Sequence, residues 1–319
     1  VQIAPEMEFF LFHLDQQGKP TTLTHDQGLY FDLSPLDAGE EARRDMVLAL
    51  QKMGFQIEAA HHENSPGQHE IDFRSADPLT TADSISTFKL VVRRIAKDHH
   101  LHATFMPKPL NGLNGSGMHL HLSVTRGSKN LFFAPRSSYG ISETAAAAIA
   151  GLLNYARPMT AVTNPLTNSY KRLVPGFEAP AYAAWSQHDR SPLIRIPSVE
   201  GSDGARIELR SPDPSCNPYL ALAVVIKAMH DGIRRKLPAS DPINLDLCSL
   251  SAADRVRLHI LPLPTTLQEA LNEMDTCELV RSALGEHLFS QFMQCKRLEW
   301  EIYNTQVQPW EVDQYLGKY

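Results

Sequence analysis

The sequence predicts an α+β fold: a largely antiparallel sheet with one polar, catalytic face, running into a mostly helical C-terminal part. Three observations point there. Several segments alternate apolar and ionisable residues with the two-residue period of a strand. Between them lie stretches whose apolar residues recur at helical spacing. Beyond about Leu237, proline clusters give way to helical patterns. The 319 residues, 43% hydrophobic and 21% charged, suit a folded protein of one large or two smaller domains. With 30 Lys and Arg against 36 Asp and Glu, the formal charge of −6 argues against non-specific nucleic-acid binding. No apolar run reaches the ~18 residues of a membrane span; the longest, Tyr219 to Met229, is interrupted by Lys227. Cys216, Cys248, Cys277 and Cys295 form no C-x-x-C pair, so neither a disulfide framework nor a zinc site is indicated. A reducing cytoplasm is the expected setting. No signal peptide is visible. The chain begins at Val1 directly in strand-like sequence, and we expect an N-terminal segment to be missing.

The elements follow in order. Val1 to Leu14, rich in Phe and Ile, reads as a strand, and Gly18 with Pro20 turns the chain. Asp37 to Met53 places Met46, Leu48, Leu50 and Met53 at helical spacing and stops at Gly54, a left-handed cap. Phe55 begins a strand that runs through Ile57. Pro78 to His99 is an amphipathic helix with Ile85, Phe88, Val91, Val92 and Ile95 inward. Ser142 caps an Ala-rich helix that should end before Pro158. Asn217-Pro218 starts another helix, with proline in the first turn. Leu267 to Met274 and Leu279 to Tyr303 are helical patterns in the tail.

The alternating segments carry the chemistry. Glu6 and Glu8 share a strand face, as do His119, His121 and Ser123, and as do Arg206, Glu208 and Arg210; Arg195 stands between Ile194 and Ile196. A solvated antiparallel sheet can look like this one segment at a time. Repetition with His and Arg in place of Lys, Thr and Ser favours a catalytic cleft. His61 to Glu70 adds Glu63 and Glu70 on either side of a Pro-Gly turn. Five carboxylates with His119 form an oxygen-rich set that suits Mg²⁺ or Mn²⁺ better than zinc. Arg172, Arg190, Arg195, Arg206 and Arg210 stand against them. Acids with arginine forks suit divalent ions bridging a polyphosphate, a phosphoryl-transfer arrangement. No Walker or Rossmann glycine motif is present, and the Gly112 to Gly117 run precedes a strand. That run is either a tight turn or a place where a ligand approaches the backbone.

At this point the motifs resemble a family. Pro5 to Phe10, His61 to Glu70, Asn114 to His119, Asn168 to Pro180 and Arg206 to Pro214 are similar to the signature segments of bacterial type I glutamine synthetase. The similarity spans essentially the whole chain and is closest to the form of low-GC Gram-positive bacteria. It implies a curved sheet with helices on its other face, one catalytic domain over 1–319, and an absent N-terminal β-grasp domain of roughly 100 residues. The implied reaction joins ammonia to L-glutamate through γ-glutamyl phosphate, with ATP as co-substrate and two or three Mg²⁺ or Mn²⁺ ions per site. By position, Glu8, Glu63 and Glu70 would hold one ion, and Glu6, His119 and Glu208 the second. Asn114, Gly115, Arg172 and Arg210 would bind glutamate. Glu58, His121, Ser123, Arg190, Arg195 and Arg206 would face the nucleotide, with Arg190 also catalytic. Glu178, in the loop that closes the site, would bind ammonium and take its proton.

The resemblance also implies a dodecamer of two hexameric rings, with the C-terminal helix entering the opposite ring. Nitrogen-regulator proteins are possible partners, while nucleic acid and membrane are not. Adenylylation control is not implied, because no tyrosine lies in Asn244-Leu245-Asp246-Leu247; glutamine feedback is. Without the β-grasp domain, which completes a neighbour's site in the family, the 319-residue chain alone should be poorly active or inactive. The alternatives are a γ-glutamyl-amine or polyamine ligase of the same family and a non-catalytic assembly or regulatory protein on this scaffold.

Overall fold

The structure, a computed structural model, describes residues 1–319 except Ser138, His188, Val199, Glu200, Asp203 and Cys248. Cys248, one of the cysteines named above, therefore lies outside the described residues.

A ten-stranded open sheet organises the fold. Its strands are β1 (Gln2–Leu14), β2 (Pro20–Thr24), β3 (Ile57–His62), β4 (Gln68–Phe73), β5 (Leu101–Thr104) and β6 (Met118–Ser123). A hairpin apart from the sheet, β7 (Thr125–Arg126) with β8 (Lys129–Asn130), comes next. The sheet then takes β9 (Tyr182–Ser186), β10 (Pro192–Arg195), β11 (Ile207–Leu209) and β12 (Leu261–Pro262). The order is β12-β9-β10-β11-β6-β1-β4-β3, with β2 and β5 pairing the far half of β1. Among the described residues, every pairing is antiparallel except β9 with β10. β1 is long enough to hold four neighbours, and its first half lies between β4 and β6.

Register then decides what meets on the polar face. Residues directly opposite in an antiparallel ladder point the same way. Glu6 lies opposite His119 on one side and Asp72 on the other, Glu8 opposite Glu70, and Glu208 opposite His121 and Arg195. The other face is apolar: Ile3, Met7, Phe9, Leu11, Ile71, Met118, Leu120, Leu122, Ile207 and Leu209 join one buried core.

Helices cover that apolar face. α1 (Glu40–Lys52) and α2 (Pro78–Asp98) contribute Met46, Leu50, Ile85, Phe88 and Val92. α3 (Glu143–Asn154), α4 (Ala156–Thr163), the short α5 (Ser169–Arg172) and α6 (Pro218–Arg235) follow. α3 and α6 cross closely enough that a Cβ on Gly151 would stand 2.3 Å from the Ala228 carbonyl, and only glycine allows that approach. The tail adds α7 (Ala252–Arg257), α8 (Leu267–Asp275), α9 (Glu278–Leu284), α10 (Glu286–Asn304) and α11 (Pro309–Tyr315).

Asn217 caps α6, accepting from the Tyr219 and Leu220 N–H groups at 3.0 and 3.3 Å, and Ser142 caps α3. Of the apolar residues at helical spacing, Met46 and Leu50 are buried, while Leu48 and Met53, the latter just past the end of α1, are exposed. Some element bounds differ from those expected. The strand after Gly54 begins at Ile57 and runs on to His62, not over Phe55 to Ile57. The Ala-rich helix ends before Pro158 as expected, at Asn154, and α4 then takes Pro158 into its first turn, where a missing N–H breaks no bond. The pattern over Leu279 to Tyr303 is two helices, divided at Gly285 with φ +76°.

Candidate active site on the polar face of the sheet

A cavity of about 240 Å³ opens over the centre of the polar face. Of the residues singled out by sequence, Glu6, Glu8, Glu63, Glu70, Asn114, Gly115, His119, Arg172, Glu178, Arg190, Arg195 and Arg210 line it. Glu58, His121, Ser123 and Arg206 instead line an adjoining cavity of about 480 Å³. The two spaces share Glu6 and Asp72 as a common wall. Glu208 lines neither cavity and is 0% exposed.

One group is tight. His119 Nδ1 is 2.8 Å from Glu6 Oε2 and 3.5 Å from Glu208 Oε1, and one ligand atom from each lies within 4.8 Å of the others. Glu208 also accepts from Arg195 Nε and Arg210 Nη1. Burial works against its charge, but the Arg210 guanidinium leads the opposing groups, and the carboxyl stays below its usual range. Glu6 behaves alike: burial opposes ionisation, and bonds to His119 and His121 overcome it. Arg206 Nε donates to His121 Nδ1 at 2.9 Å, which fixes the ring against Glu6.

The other side of the cavity is crowded with acids. Glu8 Oε2 accepts from Gln68 Nε2 at 3.0 Å and from the Gly117 N–H at 2.8 Å. His61 stands between Glu63 at 3.5 Å and Glu70 at 3.2 Å. Burial, then Glu8, pushes Glu63 up to about 8; burial, then Glu6, pushes Asp72 up to about 9. Glu70 rises well above its ordinary value from burial and then Asp72. Asp72 Oδ1 is buried with no hydrogen-bond partner. Massed carboxyls that repel one another, with an orphaned oxygen among them, fit a hard divalent cation. Around Glu70 the closest such group is completed by His61 and Asp72.

A third candidate group, His25, Asp26, Asp37 and His69, lies apart from this cavity. There Arg43 donates to Asp37 at 2.5 Å and lies 2.8 Å from His69 Nδ1, so a guanidinium already supplies the positive charge.

Sequence reasoning missed Asp72, His61, Asn64, Gln68, Tyr30 and Phe177 as lining residues. Asp72 had a signal, since it stands two residues beyond Glu70 and so on the same face. Arg172 is buried and donates to the Ser211 and Arg210 carbonyls at 2.8 and 3.1 Å, so the chain fixes its plane. A Cβ on Gly117 would stand 2.5 Å from Arg172 Nη2, which explains the glycine there. Glu178 takes a left-handed φ of +52° and accepts from Asn64 Nδ2 at 2.7 Å and Asn114 Nδ2 at 3.0 Å.

Oxygen donors massed on a sheet face and guanidinium groups along one side define a class of protein: one that holds divalent cations against an anionic substrate. Comparison with known proteins narrows the class. Residues 1–315 match the family described as glutamine synthetase, catalytic domain. The chain is 57% identical over 315 residues to the glutamine synthetase of Thermus thermophilus, covering 99% of this chain and 70% of that one. It is 54% identical over 317 residues to the glutamine synthetase of Staphylococcus aureus strain MW2, covering 99% and 71%. Among solved structures, a GmaS/ADP complex superimposes with a TM-score of 0.88 at 32% identity, covering 99% of this chain and 73% of that one. Plasmodium falciparum glutamine synthetase gives 0.85 at 25% identity, covering 98% and 74%. The chain belongs to the glutamine synthetase catalytic-domain family. Among the described residues, no helix is long and apolar enough to cross a membrane.

Proposed function

We infer that this chain carries the chemistry of an ATP-dependent glutamate–ammonia ligase that forms L-glutamine through γ-glutamyl phosphate. The observation that supports this most is the shared wall: Glu6 and Asp72 divide a space lined by Glu58, His121, Ser123 and Arg206 from one lined by Arg172, Arg190, Arg210 and Glu178. A nucleotide in the first, its phosphates directed past Glu6, meets a glutamate in the second. Asn114, Gly115, Arg172 and Arg210 bind glutamate, whose carboxylates match guanidinium forks. Glu6, His119 and Glu208 hold one divalent ion, Mg²⁺ or Mn²⁺; Glu8, Glu63 and Glu70 hold another. Bound ions supply positive charge to the phosphate oxygens.

The residues then act in order. Arg172 and Arg210 orient the γ-carboxylate, one oxygen of which attacks the terminal phosphorus while the bond to ADP breaks. Arg190 and Arg195 stabilise charge on the transferred group, without reorganising at the moment of reaction. Glu178, held by two amide side chains, attracts ammonium, accepts a proton from it, and shields the acyl phosphate from water. Ammonia displaces phosphate.

The same reading carries the expected cytoplasmic setting, which suits the free thiols of Cys216, Cys277 and Cys295. It also carries the dodecamer, an N-terminal β-grasp domain in the full-length protein, possible nitrogen-regulator partners, and feedback by glutamine. The test is an assay of the full-length protein with ATP, glutamate, ammonium and Mn²⁺. Glutamine should form only when all four are present, and Glu178→Ala should lower kcat by about 10²-fold or more. Phosphate release with no glutamine from the unaltered protein, at any ammonium concentration, would defeat this reading.

A further inference from the structure

Lys108 lies outside both cavities and is only 9% exposed, unusual burial for a lysine. Its ammonium faces a carbonyl and a ring rather than a carboxylate. Nζ donates to the Leu113 carbonyl, at the start of the glycine-rich loop, and stands 3.6 Å from the centroid of the Phe177 ring. Phe177 precedes Glu178 and lines the reaction cavity. The main chain of Lys108 is engaged as well: its N–H donates to Asn168 Oδ1 at 2.8 Å, and its carbonyl accepts from Asn168 Nδ2 at 3.0 Å. Pro107 beside it accepts from the Ser116 N–H at 2.9 Å and lies so close to Gly115 that a Cβ there would stand 2.1 Å from the Pro107 carbonyl. One residue thus touches the base of the segment that carries Glu178, its tip, and the loop that carries Asn114 and Gly115.

We propose that Lys108 is a positioning residue that locks the glycine-rich loop to the Glu178 loop, so that Asn114, Gly115 and Glu178 reach the reacting atoms as one unit. The inference rests on the reading of Glu178 given above. Asn114 Nδ2 already reaches Glu178 directly, and a left-handed backbone at Glu178 needs its surroundings to hold it. The ammonium supplies a hold that a neutral side chain of equal length lacks. A cation is needed because one end of the contact is a π face and the other a carbonyl oxygen.

The test uses Lys108→Met, Lys108→Arg and Phe177→Leu in the full-length protein, each checked for folding by thermal melting. Hydrogen exchange over residues 112–117 and 174–179 should quicken in both segments together in Lys108→Met, with the sheet unchanged. Glutamine kcat should fall by about 10²-fold, as for a displaced catalytic group, with KM for ATP within about twofold. Arginine, which also donates and stacks on rings, should restore most of the rate. Because the pair acts as a unit, Lys108→Met with Phe177→Leu should be no worse than either alone. Exchange that quickens in one segment only, arginine as deficient as methionine, or losses that multiply in the double variant would each overturn the proposal. Should Lys108→Met fail to fold, Phe177→Leu and Lys108→Arg carry the same comparison. Glu178→Gln, run alongside, separates the two readings: full amination there defeats the assignment of Glu178, while the paired exchange still reports on Lys108.

Discussion

Glu208 has no access to solvent, yet its charge is held from two sides by Arg195 and Arg210, with His119 beside it. Removing the carboxylate would strand two guanidinium groups, and breaking such a buried pair costs roughly 3–5 kcal/mol. Glu208→Gln is therefore expected to lower the melting temperature as well as to lose an ion. Equilibrium dialysis with Mn²⁺ should count one ion fewer per chain in the variant than in the parent, with affinity at that position down by more than about 100-fold. An unchanged count would show that Glu6, His119 and Glu208 are not the ligands of one ion. Much of this constellation was legible, because strand parity is strict: once Glu6 faces the cleft, so must Glu8, and register brings His119 and Glu70 beside them. Tyr30 was not legible, since it reaches the cavity from an irregular segment that no periodicity describes.

Arg157 at the start of α4 binds two acids of α8, Glu269 at 2.6 Å and Glu273 at 2.7 Å, and also donates to the Pro262 carbonyl. Burial alone would raise the Glu269 carboxyl; the Thr265 N–H and Arg157 bring it below its ordinary value. A group whose folded pKa is lowered adds stability above the unfolded pKa, near ~4.3, and loses it as pH falls through the folded value. Glu269→Gln should thus destabilise by about 1 kcal/mol at pH 7, discounted because the side chains are partly exposed. The gap to the parent should narrow only as pH falls through the lowered folded value, which lies below that of the unfolded chain. Melting curves followed from pH 7 down into the acid transition check this, and a gap that stays constant throughout would mean packing, not charge, holds α4 to α8. At this scale capping was readable, since Ser142 and Asn217 act through their own side chains. The break at Gly285 had a local signal as well, a glycine free to take the positive φ that ends a helix, as at Gly54. The resumption at α4 had none, because it depends on where that helix must dock, a tertiary choice that local propensity does not encode.

The tail ends with apolar side chains facing outward. Leu298 is 56% exposed, Ile302 53%, Trp310 62% and Leu316 78%. Leu284, Phe289 and Met293 already supply the inward side, and α11 buries none of its residues. A seven-residue helix is far below the ~12–15 residues at which isolated helices become even marginal in water. Its order therefore needs a surface to rest on, and the side chains it presents suit one that is apolar. A second copy of the chain would meet that need, as the proposed dodecamer would at every tail. Light scattering on the full-length protein should give the mass of twelve chains. Trp310→Glu with Leu316→Asp should reduce that mass while leaving the thermal transition of the catalytic part within a few degrees, since neither side chain is buried in it and exposed substitutions usually change stability by less than ~0.5 kcal/mol. Monomer from the unaltered protein would remove the basis for assembly through the tail. A full-sized assembly from the double variant would instead place the contacts elsewhere.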